Sequence, residues 1–217
     1  MNEVTQQKGR TIIFVSHNMG AIQKLCKKCI LLKTGSIEMI GDTKSVVENY
    51  INIGDSLAKT PLSERIDRSG NGTIKLVDFF IADQERKKIK YIKSGDNIYL
   101  NFKLKKFVLE NLKDIELHIT IRTAQENKLF LHKTTYSKLN IKMDKDELNL
   151  GCFIKHIPLA SGTYIIGTEI YINNKIVDLI TSAIYFDVVM GDFFQNGISY
   201  QEGHSPLLLD GGWVISS

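Results

Sequence analysis

Ser16 and His17 are the first residues of the sequence whose types and spacing suit chemistry, because a serine beside a histidine is a possible nucleophile and base. They close the apolar run 11–16, whose β-branched residues are typical of a buried strand. A hydrolase would place its serine in a sharp turn between a strand and a helix, and the residues around Ser16 do not have that pattern. The pair therefore does not indicate a hydrolase, and His17 needs another explanation.

Cys26 and Cys29 form a C-x-x-C pair, which is a spacing used by zinc and redox sites. A zinc site needs a second pair of ligands, and none follows at a suitable spacing. Both cysteines belong to a helix-like pattern and its exit, so we interpret them as small apolar residues. We expect no metal site.

Three later segments, 97–105, 116–122 and 163–172, alternate apolar with polar or aromatic residues. Residues opposite the apolar positions point outward, and they form one polar face if the three strands share a sheet. Sugars bind such faces, because each hydroxyl needs a partner and the C–H face of a sugar ring is apolar. The candidate carbohydrate-binding residues are Tyr99, Asn101, His118, Thr120, Arg122, Glu169 and Tyr171. The alternative for each of them is an ordinary solvated residue, and no paired carboxylates suggest glycoside hydrolysis.

The elements that position these residues follow from the same patterns. Residues 11–51 predict a strand, a helix, a hairpin and a second helix, and residues 54–72 break any regular period. From residue 73 onward, about eight short strands alternate with turns. The sequence thus predicts a mainly β protein, an immunoglobulin-like antiparallel β-sandwich (73–217) that follows a small α/β fragment (1–53) and a linker (54–72).

Residues 9–42 resemble the C-terminal end of an ABC-transporter ATPase domain. In that domain a strand ends in Ser-His, the histidine contacts the γ-phosphate of ATP, and a helix, a hairpin and a last helix follow. The matching residues here are Ser16-His17, the hairpin residues 32–37 and Gly41-Asp42. The resemblance implies that His17 corresponds to the switch histidine and that 43–51 is the last helix of the ATPase domain.

The phosphate-binding loop G-x-x-x-x-G-K-[ST], whose backbone N–H groups cradle phosphates, does not occur in the sequence. A Leu-Ser-Gly-Gly signature is also missing, and no acidic strand end for Mg²⁺ precedes residue 9. We therefore expect a truncated ATPase remnant with an orphaned His17, no catalytic residue, and no ATP or Mg²⁺ cofactor. ATP hydrolysis by this chain alone is not expected. A split ATPase, completed by a second chain that carries the phosphate loop, is an alternative.

An ATPase end followed by a β-sandwich resembles the polysaccharide-exporting ABC ATPases of the Wzt type, which move O-antigen. In that family a carbohydrate-binding sandwich follows the ATPase domain. The matching landmarks are Gly70-Asn71-Gly72, Asp78, Ser94-Gly95-Asp96, Pro158-Leu159, Gly162-Thr163-Tyr164, Phe186-Asp187-Val188-Val189 and Trp213.

This resemblance implies that the sandwich recognises the exported polysaccharide without catalysis. It also implies a membrane-spanning ABC permease as partner, and a homodimer in which the terminal strand can be exchanged. The expected location is cytoplasmic, at the inner face of the cell membrane. An alternative of another class is a dimerisation or regulatory module of the transporter that binds no sugar.

Composition agrees with a soluble globular protein, since 43% of the 217 residues are hydrophobic and 24% are charged. No apolar run approaches the roughly 20 residues of a membrane span, and the polar residues 1–8 are no secretory signal. The 28 basic residues exceed the 24 acidic ones by four, and the lysines are scattered along the sequence. A nucleic-acid-binding protein would more often carry a basic stripe, so nucleic acid is not expected as a partner.

Overall fold

The computed structural model describes residues 12–15, 19–33, 35–58, 60–197 and 205–215. Ser16 and His17, and with them the predicted switch histidine, lie outside these ranges. Residues 12–15 form no strand, although the pattern predicts one over 11–16. A strand needs a neighbour for its backbone hydrogen bonds, and none of the described strands pairs with this run.

The N-terminal unit is a hairpin between two helices. It consists of α1 (Met19–Leu25), β1 (Lys28–Lys33), β2 (Ser36–Asp42) and α2 (Thr43–Ala58). β1 and β2 pair antiparallel, as the pattern predicts. Asp42 caps α2, because its carboxylate accepts hydrogen bonds from the backbone N–H of Ser45 (3.0 Å) and from its hydroxyl (2.7 Å). None of the described helices is long and apolar enough to cross a membrane.

The remaining strands of the described chain form two sheets. Their strands are β3 (Ile74–Ala82), β4 (Tyr91–Lys93), β5 (Ile98–Lys106), β6 (Leu112–Thr123), β7 (Lys128–Lys133), β8 (Ile141–Met143), β9 (Glu147–Ile154), β10 (Gly162–Ile172) and β11 (Lys175–Val189). The large sheet has the order β4-β11-β10-β6-β7, with β8 also paired to β6, and the small sheet has the order β3-β5-β9. All pairs in these two sheets are antiparallel except β4–β11, which is parallel. The predicted β-sandwich is confirmed.

The core of the sandwich lies between the two sheets. In β5, alternate residues point inward as predicted, and Ile98, Leu100 and Leu104 are fully buried. They join a cluster with inward residues of the large sheet such as Ile119 and Ile166. Because side chains alternate along a strand, the residues between these positions lie on the outer faces.

The second half of the predicted linker packs on the large sheet. Ser69 and Leu179 of β11 exchange backbone hydrogen bonds of 3.0 and 2.8 Å. Gly70 follows with φ +111°, and a Cβ at this position would lie 2.4 Å from the carbonyl of Val177. Only glycine can therefore occupy this first position of the Gly-x-Gly landmark.

A buried ion pair fixes the same segment. Arg68 Nε lies 3.3 Å from Asp178 Oδ1, and the side chains are 9% and 1% exposed. Asp178 Oδ2 also accepts a hydrogen bond from the backbone N–H of Leu76 at 3.0 Å. Burial raises the pKa of Asp178, although the hydrogen bond and the nearby guanidinium oppose this shift. The residues from Arg68 onward thus form part of the sandwich.

Helix α2 lies against β11 of the large sheet. Tyr50 of α2 is close enough to Arg122 and Glu126 for their charges to act on its phenol, whose pKa is raised mainly by burial. Ile165 lies on the outward side of β10, opposite Arg122, and does not belong to the core between the sheets. It is nevertheless only 1% exposed. The outer face of the large sheet is therefore covered near α2.

The C-terminal segment leaves the sandwich after a short contact. Leu207 pairs with Leu159, and Tyr164, a core tyrosine as expected, donates from its hydroxyl to the carbonyls of Ala160 (2.9 Å) and Pro206 (3.1 Å). Beyond this point Trp213, one of the sequence landmarks, is fully exposed in the single chain.

Candidate functional site

The predicted polar face divides between the two sheets. β6 and β10 are neighbours in the large sheet, so five candidates share one outward face: His118, Thr120, Arg122, Glu169 and Tyr171. β5 belongs to the small sheet, and Tyr99 and Asn101 therefore lie on the opposite side of the molecule. The condition that the three strands share one sheet is not met, because pairing between distant segments is not encoded in alternation.

A cluster of polar side chains surrounds His118 on the large sheet. His118 Nε2 lies 2.9 Å from Glu116 Oε2, and Nδ1 lies 3.8 Å from Glu169 Oε2. The imidazole stacks on the ring of Tyr171 with centroids 4.5 Å apart. The Tyr171 hydroxyl donates a hydrogen bond of 2.7 Å to Glu169 Oε2. The cluster fixes two rings and two carboxylates in one arrangement on the sheet surface.

The protonation of Tyr171 follows from this arrangement. Its hydrogen bond to Glu169 raises the pKa of the phenol to about 12, because an ionised phenol would lose the bond and repel the carboxylate. The side chains of Glu116 and Glu169 remain 31% and 29% exposed. Carboxylate oxygens can therefore accept hydrogen bonds from hydroxyl groups of a ligand beside a neutral aromatic ring.

A cavity of about 320 Å³ adjoins the cluster on the same face, and Glu169 lines it together with Thr120 and Arg122. Gly167 forms part of its wall. A Cβ at this position would lie 2.5 Å from the carbonyl oxygen of Thr181 and 2.9 Å from Arg122 Nη2. The missing side chain thus leaves the space in which the Arg122 guanidinium lies.

Glu126 holds Arg122 in this cavity. Arg122 Nη1 lies 2.5 Å from Glu126 Oε2, and the two side chains are 8% and 4% exposed. Arg122 Nε and Nη2 are buried and have no hydrogen-bond partner among the described residues. Unsatisfied buried donors cost free energy, so these N–H groups are suited to an acceptor oxygen placed in the cavity.

Tyr99 and Asn101 lie in a different environment on the small sheet. The Arg86 guanidinium lies over the Tyr99 ring, 3.4 Å from its centroid, and Tyr99 also contacts the Phe153 ring at 4.7 Å. Asn101 pairs with Gly151 of β9 and lines a separate cavity of about 380 Å³. The two predicted residues are thus brought together, but with partners that the sequence did not indicate.

The sequence analysis did not identify several residues that contribute to the two faces. Glu116 continues the outward alternation of His118, so the pattern could have included it. Glu126 lies in the turn after β6 at φ +68°, and Arg86 lies in the turn after β3 at φ +64°. Turn conformations of this kind carry no periodic signal. Within the described ranges, no group of three or more His, Cys, Asp or Glu side chains is placed to hold a metal ion.

Comparison with protein families gives a match to the Wzt C-terminal domain over residues 65–201. Among solved structures, the crystal structure of the C-terminal domain of Wzt superposes with a TM-score of 0.58 at 15% identity. The match covers 75% of this chain and 96% of that chain. At this identity the likeness concerns the fold alone.

Curated relatives match shorter parts of the chain. The ABC transporter protein AbcA of Aeromonas salmonicida is 33% identical over 97 residues, which is 43% of this chain and 29% of the relative. The teichoic acids export ATP-binding protein TagH of Bacillus anthracis is 25% identical over 109 residues, 50% of this chain and 20% of the relative. The matched parts of this chain therefore span less than a third of either relative.

Proposed function

Because the chain belongs to the Wzt C-terminal domain family, we propose that it recognises a polysaccharide or teichoic-acid polymer for export by an ABC transporter, without catalysing a reaction. The observation that carries this proposal is the cluster and adjoining cavity on the outward face of β6 and β10. There an aromatic ring, two carboxylates and a buried arginine lie along one stretch of sheet. The names of the relatives, an ABC transporter protein and teichoic acid exporters, agree with this role.

The chemistry of the face suits a hydroxyl-rich ligand. The exposed oxygens of Glu116 and Glu169 accept hydrogen bonds from hydroxyl groups, and Arg122 donates to ring or hydroxyl oxygens. Tyr171 offers an apolar surface for the C–H face of a sugar. In the assembled transporter, the proposed partner is a membrane-spanning permease, and the sandwich acts at the cytoplasmic side of the membrane.

Titration of the full chain with lipid-free polymer from its own source, against an unrelated polysaccharide, tests the proposal. We expect saturable amide shifts in β6 and β10 with the cognate polymer only.

Tyr171→Ala should weaken binding about tenfold, since it removes a ring contact and a fixed hydrogen bond. Tyr136→Ala is the matched control, because Tyr136 is an exposed aromatic residue outside the cluster, 62% exposed. No saturable shift at millimolar sugar would reject the proposal.

The C-terminal segment supports a second candidate function, a dimerisation module. Three apolar residues near its end are almost completely exposed, with relative accessible areas of 102% for Trp213, 91% for Val214 and 103% for Ile215. Exposed apolar residues at this density mark interaction sites more often than free surface. Sedimentation of the full chain and of a chain that ends at Leu208 tests this role. Loss of a dimer on truncation would support it, and a monomer in both cases would reject it.

A further inference from the structure

We infer that the outward face of the small sheet is a second, anion-selective subsite, which binds an acidic unit, a sugar or polyol carrying a phosphodiester or a carboxylate. The inference rests on the proposed function in one respect, since the acidic unit is taken to belong to the exported polymer. Its location, its charge and its donor groups are independent of the cluster on the large sheet.

The subsite is a groove of about 380 Å³ across β3, β5 and β9. Its floor is the cross-strand row Phe80–Asn101–Gly151. Gly151 is a surface position of β9, and a Cβ there would lie 3.5 Å from Arg86 Nη1 and 3.8 Å from Asn101 Oδ1. The groove is therefore open because residue 151 lacks a side chain, and Arg86 reaches into it from one end.

Arg86 is oriented for an anion. Its guanidinium stacks over the Tyr99 ring, 3.4 Å from the centroid, and Tyr99 is supported by Phe153. Stacking uses the face of the guanidinium and leaves the N–H groups on its edge, the fork that binds carboxylate or phosphate with two hydrogen bonds. The backbone N–H of Arg86 donates to the Asp83 carbonyl, whereas among the described residues its guanidinium makes no hydrogen bond or ion pair beside the contact with Tyr99. The side chain is thus fixed by an aromatic contact while its donors remain available.

The charge of the face favours an acidic ligand. Lys103 lies next to Asn101 on the outward side of β5 and forms an ion pair of 2.8 Å with Glu147, while Lys88 lies over the Phe80 ring at 5.9 Å. Among the described residues that line the groove, Asp78 carries the one carboxylate, and it pairs with Lys103 in the sheet, two residues along β5 from Asn101. The turn 83–88 that carries Arg86 holds three cationic and two acidic side chains, so this end of the groove has a net positive charge. The amide and carboxylate groups at the other end suit hydroxyl groups.

The two outer faces differ in sign. On the large sheet, Arg122 is neutralised by Glu126, and the accessible groups of the cluster are the carboxylates of Glu116 and Glu169. The two carboxylates of the cluster disfavour an anion beside them, whereas the Arg86 end of the small-sheet groove attracts it. A polymer with acidic and neutral units would therefore place the two kinds of unit on opposite faces of one sandwich.

The test is an amide-shift titration of the full chain with defined small probes. Glucose 1-phosphate and glucuronic acid supply the two anionic sources, glucose is the neutral probe, and inorganic phosphate reports the anion alone. We expect saturable shifts of Asn101 and Gly151 with at least one of the two sugar anions, weaker shifts with inorganic phosphate, and none with glucose. Whichever sugar anion binds more tightly identifies the acidic group.

Variants on both faces make the outcome specific. Arg86→Ala should weaken binding of the sugar anion about tenfold or more, since a charge-assisted bidentate contact is lost, and Arg86→Lys should recover only part of it. Gly151→Leu should block the groove without unfolding, because its Cβ would make only ordinary contacts. Asp187→Asn should leave probe binding unchanged, because Asp187 is an exposed residue of the large sheet that pairs with Thr163 and lies outside the cluster and both cavities.

Equal binding of glucose and the sugar anions, or unchanged affinity in Arg86→Ala, would overturn the inference. So would tighter binding of a single-stranded oligonucleotide to the same residues than of either sugar anion. Binding of the polymer that depends on Tyr171 but not on Arg86 would reject this subsite and leave the proposed function intact. Probe binding at Arg86 without any binding of the polymer would support the subsite and reject the proposed function.

Discussion

The ring of His118 stacks on the ring of Tyr171, with centroids 4.5 Å apart and planes inclined by 32°. The contact follows from the register of β6 and β10, in which His118 is directly opposite Glu169 and Tyr171 is the diagonal neighbour. Because Glu169 also accepts the Tyr171 hydroxyl, the two rings and the carboxylate constrain one another. The proposed binding surface is thus part of the sheet itself and is preorganised.

Tyr171 should ionise at higher pH in the folded chain than in the unfolded chain. The phenol donates to Glu169, so its folded pKa of about 12 exceeds the ordinary value of 10.0. The bond therefore stabilises the fold fully below pH 10 and is lost as the pH rises from 10 towards 12. The difference in tyrosinate absorbance between the parent and Tyr171→Phe measures this titration.

Glu169→Gln is the control for this titration. The amide removes the negative charge and leaves the hydrogen bond weaker, so the pKa of Tyr171 should fall towards the ordinary tyrosine value. An unchanged Tyr171 titration in Glu169→Gln would show that burial, and not the carboxylate, sets the pKa of the phenol.

Gly167→Ala should disturb the cavity and lower stability. The added Cβ would lie 2.5 Å from the Thr181 carbonyl oxygen and 2.8 Å from Thr120 Oγ1, and backbone atoms cannot give way as a flexible side chain can. Overpacking of this kind costs about 1–3 kcal/mol of unfolding free energy. Gly211→Ala is the matched control, since nothing lies within 4 Å of its Cβ position. Urea denaturation compares the two, and equal midpoints would contradict the described strand packing.

Glu126→Gln should be strongly destabilising, because it leaves the buried guanidinium of Arg122 without its counter-charge. Breaking a buried pair in this way costs about 3–5 kcal/mol, whereas replacing both partners together, as in Arg122→Met with Glu126→Leu, costs much less. Glu85→Gln is the control, since the Glu85–Lys87 pair is 71% and 74% exposed and contributes about 1 kcal/mol or less. If both single variants had the same stability, the Arg122–Glu126 pair would be solvated and α2 would not cover it.

The sequence predicted the outward direction of the site residues better than their surroundings. Tyr99 and Asn101 lie on an outward face as alternation requires, since direction depends only on neighbours along the strand. Their sheet depends on pairing with β3 and β9, segments distant in sequence, and no local pattern specifies that pairing. The candidate residues therefore lie on two separate faces, although the sequence predicted one face if the three strands shared a sheet.

The burial of residues on the outer face could not be predicted from the sequence either. Alternation predicts Arg122 as a solvated outward residue, yet it is 7% exposed. The cause is tertiary, since Glu126 comes from a turn and Tyr50 from a helix of the N-terminal unit. In contrast, the hairpin of β1 and β2 was predicted correctly, because a hairpin depends on a turn and two adjacent runs.

Truncation between Pro61 and Thr73 should reveal how much the sandwich depends on the segment before β3. A chain that starts at Pro61 keeps Arg68 beside Asp178, and we expect it to lose only the packing of α2 on the large sheet. A chain that starts at Thr73 removes the Arg68 guanidinium from Asp178, and we expect it to be about 3–5 kcal/mol less stable in urea denaturation than the chain that starts at Pro61.

The pH dependence of that loss identifies its cause. Burial already raises the pKa of Asp178, and the loss of Arg68 removes one of the charges that oppose this shift. A carboxyl whose folded pKa lies above its unfolded value destabilises the fold above the folded pKa, and the penalty disappears as the pH falls towards the ordinary value of about 3.9. The stability difference between the two fragments should therefore shrink on acidification.

Asp178→Asn in the shorter fragment should recover most of the lost unfolding free energy, because the amide oxygen can still accept the Leu76 N–H. A pH-independent difference that Asp178→Asn does not reduce would assign the loss to the backbone pairing of Ser69 with Leu179 instead.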